Sequence, residues 1–261
     1  MKVMVIIPAA GLGTRMAGAP SGAPKTPQKT AAKPRPVSKQ FAELKGVPIL
    51  VHTLRKFAAC AQVSEIYVAL PTRQAEAESF RLRLKQEHFR KTIHLVEGGE
   101  HRQQSVANAL AVMKPQNEKE DIVLVHDAVR PFVDAETIAN VIQAATRYGA
   151  AIAGVPAMDT IKQVERTAEA AIIASTIPRE RVVLAQTPQG FRFSVLKRAF
   201  EEAAADGFMG TDEASLVERG GARVAVVMGS PRNIKITTPA DLELAEFFLA
   251  QENRRRASLS G

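Results

Sequence analysis

Cysteine is nearly absent: Cys60 is the only one in 261 residues. Neither an internal disulfide nor a thiolate metal cage can form, and a cytoplasmic setting is expected. Long apolar runs are missing as well. The longest near the start, Val3 to Ile7, is far short of the ~20 residues of a membrane span, and it lacks a small-residue cleavage site before its glycine-rich continuation. No signal peptide and no membrane segment are expected. Acidic residues are missing from one stretch, Ala17 to Ala42, which carries Lys25, Lys29, Lys33, Arg35 and Lys39. Arg254, Arg255 and Arg256 add three cations near the tail. Take those eight from the 35 Lys and Arg, and 27 remain against 27 Asp and Glu, so the formal +8 belongs to two segments. With a neutral body, the high charge is not evidence of a nucleic-acid-binding face. The basic stretch reads either as a flap over a polyanionic small molecule or as a solvated loop, and the tail as a frayed terminus.

What is present is globular: 46% hydrophobic against 24% charged residues excludes wholesale disorder. Short apolar runs at Val3 to Ile7, Ile66 to Leu70, Thr92 to Val96, Ile122 to Val125, Ala151 to Val155, Val182 to Leu184 and Arg223 to Val227 suit strands buried on both faces. Helical patterns lie between them at Ile49 to Ala59, Gln74 to Glu87, Gln103 to Met113, Ala135 to Arg147, Val195 to Ala205 and Pro239 to Ala250. Thr238 caps the last, with Pro239 at its first position. The alternation predicts one doubly wound α/β domain over residues 1–261 with a mostly parallel sheet. Two segments break it. Residues 17–38, rich in Pro, Ala, Gly and Lys, cannot bury enough apolar surface to offset their ordering entropy, which predicts a mobile basic loop. Ile161 to Val164 and Ala171 to Ala174 flank a short turn and predict a hairpin added to the sheet. Such a hairpin is marginal alone, so it folds back on its own domain or packs on a second copy of the chain.

Pro8, Ala9, Ala10, Gly11, Leu12, Gly13, Thr14, Arg15 and Met16 follow the first strand. Small residues at the carboxyl end of a strand let backbone N–H groups approach phosphates. A dinucleotide fingerprint would need glycine at Met16, and a P-loop would need lysine at Ala19, so both patterns fail. What remains is a phosphate-cradling bend with its own cation, Arg15, followed by a basic segment ending at Lys39. The bland reading is a glycine turn that only connects strand to helix.

The run from Gly11 to Met16 with Lys39, together with EGGEHRQQS (97–105), VHDAVRP (125–131), DTIK (159–162), QTPQGF (186–191), TDEAS (211–215) and NIKIT (233–237), resembles the 2-C-methyl-D-erythritol 4-phosphate cytidylyltransferase family. The resemblance runs from Val3 to Leu249. It implies a Rossmann-like nucleotidyltransferase fold with a protruding β-hairpin arm at about 157–180 that exchanges between the subunits of a homodimer. It implies transfer of CMP from CTP to 2-C-methyl-D-erythritol 4-phosphate, releasing pyrophosphate, in the non-mevalonate isoprenoid pathway; the cyclising domain to which some members are fused is not expected in 261 residues. Two polyanions must meet in such a step, so cations and a divalent metal, Mg²⁺, are required.

By the same resemblance Arg15, Lys39 and Lys235 are the catalytic cations. Ala9, Ala10, Gly11, Gly13, Gly99, Glu100, Ser105 and Asp127 bind the nucleotide, and Asp127 binds the metal. Asp127, Arg130, Thr160, Arg179, Thr187, Thr211 and Lys235 bind the acceptor, with Thr160 and Arg179 reaching into the partner subunit's site. Each has a blander reading: Asp127 as a turn cap, Thr211 as a helix N-cap, Lys235 as a solvated charge, Gly98 and Gly99 as a plain turn. The chain departs from the family pattern at Glu100, where aspartate is expected, and in the 22 residues between Met16 and Lys39, more than the family leads one to expect. That length puts the delivery of Lys39 in question. Two rival functions remain: a nucleotidyltransferase for another nucleotide or acceptor, and a noncatalytic nucleic-acid-binding protein, against which the neutral body argues.

Overall fold

The structure, a computed structural model, describes residues 1–11, 39–71 and 75–259. In chain order the elements are β1 (Val3–Pro8), a 3-10 turn (Lys39–Phe41), β2 (Glu43–Leu44), β3 (Val47–Pro48), α1 (Ile49–Ala59), β4 (Glu65–Leu70), α2 (Ala75–Gln86), β5 (Thr92–Glu97), α3 (Arg102–Val112), β6 (Ile122–Val125), α4 (Ala135–Tyr148) and β7 (Ala150–Pro156). There follow β8 (Ile161–Arg166), β9 (Ala171–Ile177), a second 3-10 turn (Arg179–Arg181), β10 (Val183–Arg192), α5 (Phe193–Ala205), α6 (Glu213–Arg219), β11 (Ala225–Met228) and α7 (Pro239–Leu259). Seven strands form one sheet in the order β11-β7-β10-β6-β1-β4-β5. All neighbours are parallel except β10, which runs antiparallel to β6 and β7. The doubly wound, mostly parallel architecture expected from the alternation is therefore the observed one.

Side chains alternate along a strand, so a strand apolar at every position must have a core on each face. In β1, Val3, Val5 and Ile7 belong to one core cluster with Leu54 and Phe57 of α1 and Val141 of α4, whereas Met4 and Ile6 belong to a second with Val106 of α3, Leu196 of α5 and Leu216 of α6. A third cluster gathers Leu44, Ile49, Val129, Phe132, Ile236 and Ala245, seating α7 beside the segments that follow β6 and β11. No described helix is long and apolar enough to cross a membrane.

Several boundaries differ from the sequence reading. β10 continues ten residues through the QTPQGF run because its polar side chains Gln186, Thr187 and Gln189 are buried on internal partners, a pattern that mimics a loop. The two-residue strands β2 and β3 and the 7-residue α6 are too short to show periodicity. The capping residue of α6 is Asp212, not Thr211: its carboxylate accepts from Ser215 N–H at 2.9 Å. Thr238 does cap α7, accepting from Asp241 N–H at 3.2 Å, but the helix runs on to Leu259, so Arg254 and Arg255 are exposed helical residues and not a frayed end. Lys56 to Glu252, at 2.9 Å, ties the extension to α1. The hairpin β8–β9 is not added to the main sheet either. It is a two-stranded sheet of its own, and both sides of β7, the strand it follows, are taken by β10 and β11.

Asp121, fully buried before β6, knots the start of the chain to the sheet. Its Oδ1 accepts from Lys2 N–H at 2.7 Å and its Oδ2 from Gln116 and Asn117 N–H at 2.6 and 3.0 Å. Burial alone would raise its pKa; the three donors outweigh it and hold the carboxyl below its ordinary value. A depressed folded pKa contributes stability that is complete above the ordinary carboxylate range and is lost as pH falls through the folded value. Asp121→Asn is expected to cost about 2–3 kcal/mol at pH 7, with the gap to the parent narrowing below about pH 4. Denaturant titrations at the two pH values measure it.

Candidate active site

The chain leaves β1 toward β4 and β5 and returns to β6 on the opposite side of β1. That reversal opens a crevice beyond the carboxyl ends of β1 and β6, where open α/β sheets bind ligands. Ala9, Ala10 and Gly11 enter it from β1, and His126 and Asp127 from β6, with His126 N–H donating to Ile6 O at 2.9 Å. A backbone bond from Ile236 N–H to Val129 O, 2.9 Å, brings the segment after β11 alongside and places Lys235 there.

Asp127 is the centre. Lys235 Nζ lies 3.0 Å and Arg130 Nε 3.1 Å from its Oδ2, and Arg102 Nε 3.4 Å from its Oδ1. Burial would raise the Asp127 pKa, but the charges of Arg102, Lys235 and Arg130 win and hold it far below the usual carboxylate range. The two guanidinium groups are pinned elsewhere too. Arg102 Nη1 donates to both carboxylate oxygens of buried Glu213, at 2.6 and 2.8 Å, and Arg130 Nη1 donates to Asn233 O at 2.7 Å. The Lys235 side chain is 44% exposed and, among the described residues, its one ion pair is the bond to Asp127, so it is the least constrained of the three cations. Beneath the carboxylate, Asp127 N–H donates to the Thr187 hydroxyl at 3.0 Å, which in turn lies 3.1 Å from His126 Nδ1. His126 Nε2 stands 3.0 Å from Arg130 O, and burial first of all lowers the imidazole pKa to about 4, so it is neutral at pH 7.

The other wall is the loop between β5 and α3. Gly98 N–H donates to Leu70 O and Ala9 N–H to Ala69 O, both at 2.8 Å, which sets the two loops side by side. A Cβ on Gly98 would collide with the Ala10 methyl group, so only glycine permits that approach. Buried Ser105 accepts from Gly99 N–H at 3.0 Å and donates to His101 O at 3.1 Å, and Glu100 N–H donates to Gln104 Oε1 at 2.9 Å. The Ser105 hydroxyl proton is therefore spent on shaping the loop, and the Glu100 residue is exposed.

Of the residues singled out in the sequence, Ala9, Ala10, Gly11, Gly99, Ser105, Asp127, Arg130, Thr187 and Lys235 converge on this crevice. Gly13, Arg15 and the 17–38 stretch lie outside the described residues, as does the side chain of Lys39. Thr211 is exposed, its N–H donating to Ser215 Oγ at 3.1 Å. Thr160 and Arg179 make no bond to the Asp127 cluster among the described residues; Arg179 Nη1 donates instead to Met158 O at 2.8 Å. Three contributors escaped the sequence reading. Arg102 and Glu213 sit inside EGGEHRQQS and TDEAS, but an isolated charge carries no sign of a partner 111 residues away. Gln40, which donates to Ala9 O, stands next to Lys39 with no motif signal of its own.

Among the described residues no three His, Cys, Asp or Glu side chains are grouped to hold a metal ion. The donor set still suits Mg²⁺, which takes one or two carboxylates and completes its shell with substrate phosphates and water. Asp127 is such a single carboxylate, provided Lys235 yields its oxygen.

A sequence model of the 2-C-methyl-D-erythritol 4-phosphate cytidylyltransferase family matches residues 3–251. The enzyme of that name from Acidobacterium capsulatum is 56% identical over 255 residues, 98% of this chain and 100% of the relative. Solved structures of the same name from Francisella tularensis and Thermus thermophilus superpose with TM-scores of 0.72 and 0.70 at 33% and 34% identity, each over 95% of this chain and 99% and 98% of theirs. By this family model, this relative and these structures, the chain belongs to the 2-C-methyl-D-erythritol 4-phosphate cytidylyltransferase family.

Proposed function

We infer that this crevice runs the reaction for which the family is named. A phosphate oxygen of 2-C-methyl-D-erythritol 4-phosphate attacks the α-phosphorus of CTP. The bond from that phosphorus to the bridging oxygen breaks, and 4-diphosphocytidyl-2-C-methyl-D-erythritol and pyrophosphate leave. The observation that carries this reading is the convergence of Arg102, Arg130 and Lys235 on one buried carboxylate beside a small-residue bend. Bringing two polyanions together requires fixed positive charge and in-line positioning more than covalent chemistry.

Ala9, Ala10, Gly99, Glu100 and Ser105 enclose the cytosine, and the close approach of Gly98 to Ala10 draws the two loops together around it. Arg15 and Lys39 neutralise the charge that develops on the attacked phosphorus. Arg130, Thr187, Thr211 and Lys235 hold the acceptor, Lys235 transferring its bond from Asp127 to the acceptor phosphate. Asp127 would hold Mg²⁺ brought with the triphosphate, which supplies further neutralisation of phosphate charge. Pyrophosphate release measured with each nucleoside triphosphate and each candidate acceptor tests the assignment. Turnover is expected only with CTP and 2-C-methyl-D-erythritol 4-phosphate; comparable turnover with a sugar 1-phosphate overturns it.

The working unit is a homodimer in the cytoplasm, without nucleic acid or membrane. Residues 162–176 of the β8–β9 arm are all exposed, and Val164 pairs with Ile173 across the strands at 40% and 60% exposure. A hairpin with no core of its own is not stable in water, and apolar side chains so placed call for a covering surface. The arm would carry Thr160 and Arg179 to the partner's crevice. Ile173→Glu is expected to convert the dimer to monomer in sedimentation velocity and to abolish turnover together.

A further inference from the structure

Gln40 is buried in the 3-10 turn Lys39–Phe41, and its carboxamide nitrogen donates to two carbonyls of the bend after β1: Ala9 O at 2.7 Å and Gly11 O at 3.0 Å. A carboxamide has two N–H donors, so each carbonyl takes one and none is left over. In a trans peptide the C=O and N–H point opposite ways. Drawing the Ala9 carbonyl toward Gln40 therefore turns the Ala10 N–H away from it, and no acceptor among the described residues takes that N–H. The turn is braced from behind as well. Phe41 is buried against Phe80, ring centroids 5.5 Å apart, and Ala42 O accepts from Ile49 N–H at 2.9 Å. Lys39 is thus joined by one peptide bond to a residue fixed on the phosphate-side bend. The Lys39 backbone is thereby tied to that bend through its neighbour.

We propose that Gln40 is a positioning residue of the transfer reaction: it holds the Ala9–Gly11 bend with the Ala10 N–H available to the nucleotide, and it fixes Lys39 at that same bend. The proposal rests on the reading of Lys39 as a cation acting on the transferred phosphate, and a double-mutant cycle separates the two. Gln40→Met keeps the side-chain length and removes both donors. On the parent background it is expected to lower kcat about 10–100-fold, with KM for the acceptor changed less than about twofold. On a Lys39→Ala background the same change is expected to cost less than about threefold, because the group being positioned is gone. An equal loss on both backgrounds shows a merely structural role and overturns the proposal alone, as does an unchanged kcat on the parent background. A parent-like kcat in Lys39→Ala by itself overturns the reading of Lys39 and the proposal with it. If Gln40→Met does not fold by circular dichroism, Gln40→Asn, which withdraws the carboxamide by one methylene, is read in the same cycle against the same outcomes.

Discussion

Asp127→Asn is expected to lower kcat on the order of 10³-fold. The substitution preserves shape and removes one negative charge from a point where three cations lie within 3.0 to 3.4 Å. Arg102 and Arg130 keep their second anchors on Glu213 and Asn233, so the wall persists, but the carboxylate that spaces the cations and would hold a divalent ion is lost. The variant site is more positive than the parent, so it should retain acceptor phosphate and show its defect in kcat, with KM little changed. Leaving the partly buried Arg102 and Arg130 without this counter-charge also costs stability, about 1–3 kcal/mol, so the kinetics must be taken well below the melting transition of the variant. Steady-state rates with both substrates, paired with a thermal melt, read the two effects separately. Full turnover in a folded Asp127→Asn protein would reduce Asp127 to a turn cap.

Lys39→Ala is expected to bring a loss of similar size, on the order of 10³-fold in kcat. The ammonium would act on charge that builds on the attacked phosphorus, so its contribution appears in the transition state more than in the bound ground state. KM for CTP should therefore change far less than kcat. Lys39→Arg, which keeps the charge on a different geometry, is expected to recover part of the rate. Rapid-quench measurement of the chemical step distinguishes this from slowed product release: the single-turnover rate should fall with kcat.

The parts of this architecture that could be read from sequence are those whose physical cause is local. β1 and β6 are short β-branched runs buried on both faces, and such runs announce themselves by composition. Thr238 and Pro239 mark a helix start through chemistry confined to one turn. What escaped depends on partners far along the chain. β10 looks like a loop through QTPQGF because Gln186, Thr187 and Gln189 are polar, yet each is buried on a remote partner: Asn233 Nδ2 donates to Thr187 O at 2.8 Å, Gln186 Nε2 to Ser230 O at 2.9 Å and Gln189 Nε2 to Asp212 Oδ2 at 2.7 Å. Arg102 and Glu213 read as two surface charges until the fold joins them. Asp127 and Lys235 were legible as motif members, whereas the bond between them was not. The hairpin was visible as two extended runs about a short turn, but that it forms a sheet of its own depends on how the strands of the main sheet are ordered, which no local pattern foretells.

Crystals grown with CTP and Mn²⁺ give the most direct test, because the anomalous signal of manganese locates the metal independently of the nucleotide. The expected map has the triphosphate along the Ala9–Gly11 bend, cytosine against the Gly98–Ser105 loop, and a manganese peak on the Asp127 carboxylate with Lys235 displaced from it. Ordered nucleotide elsewhere, or manganese on a carboxylate other than Asp127, would contradict the assignment of this crevice as the transfer site.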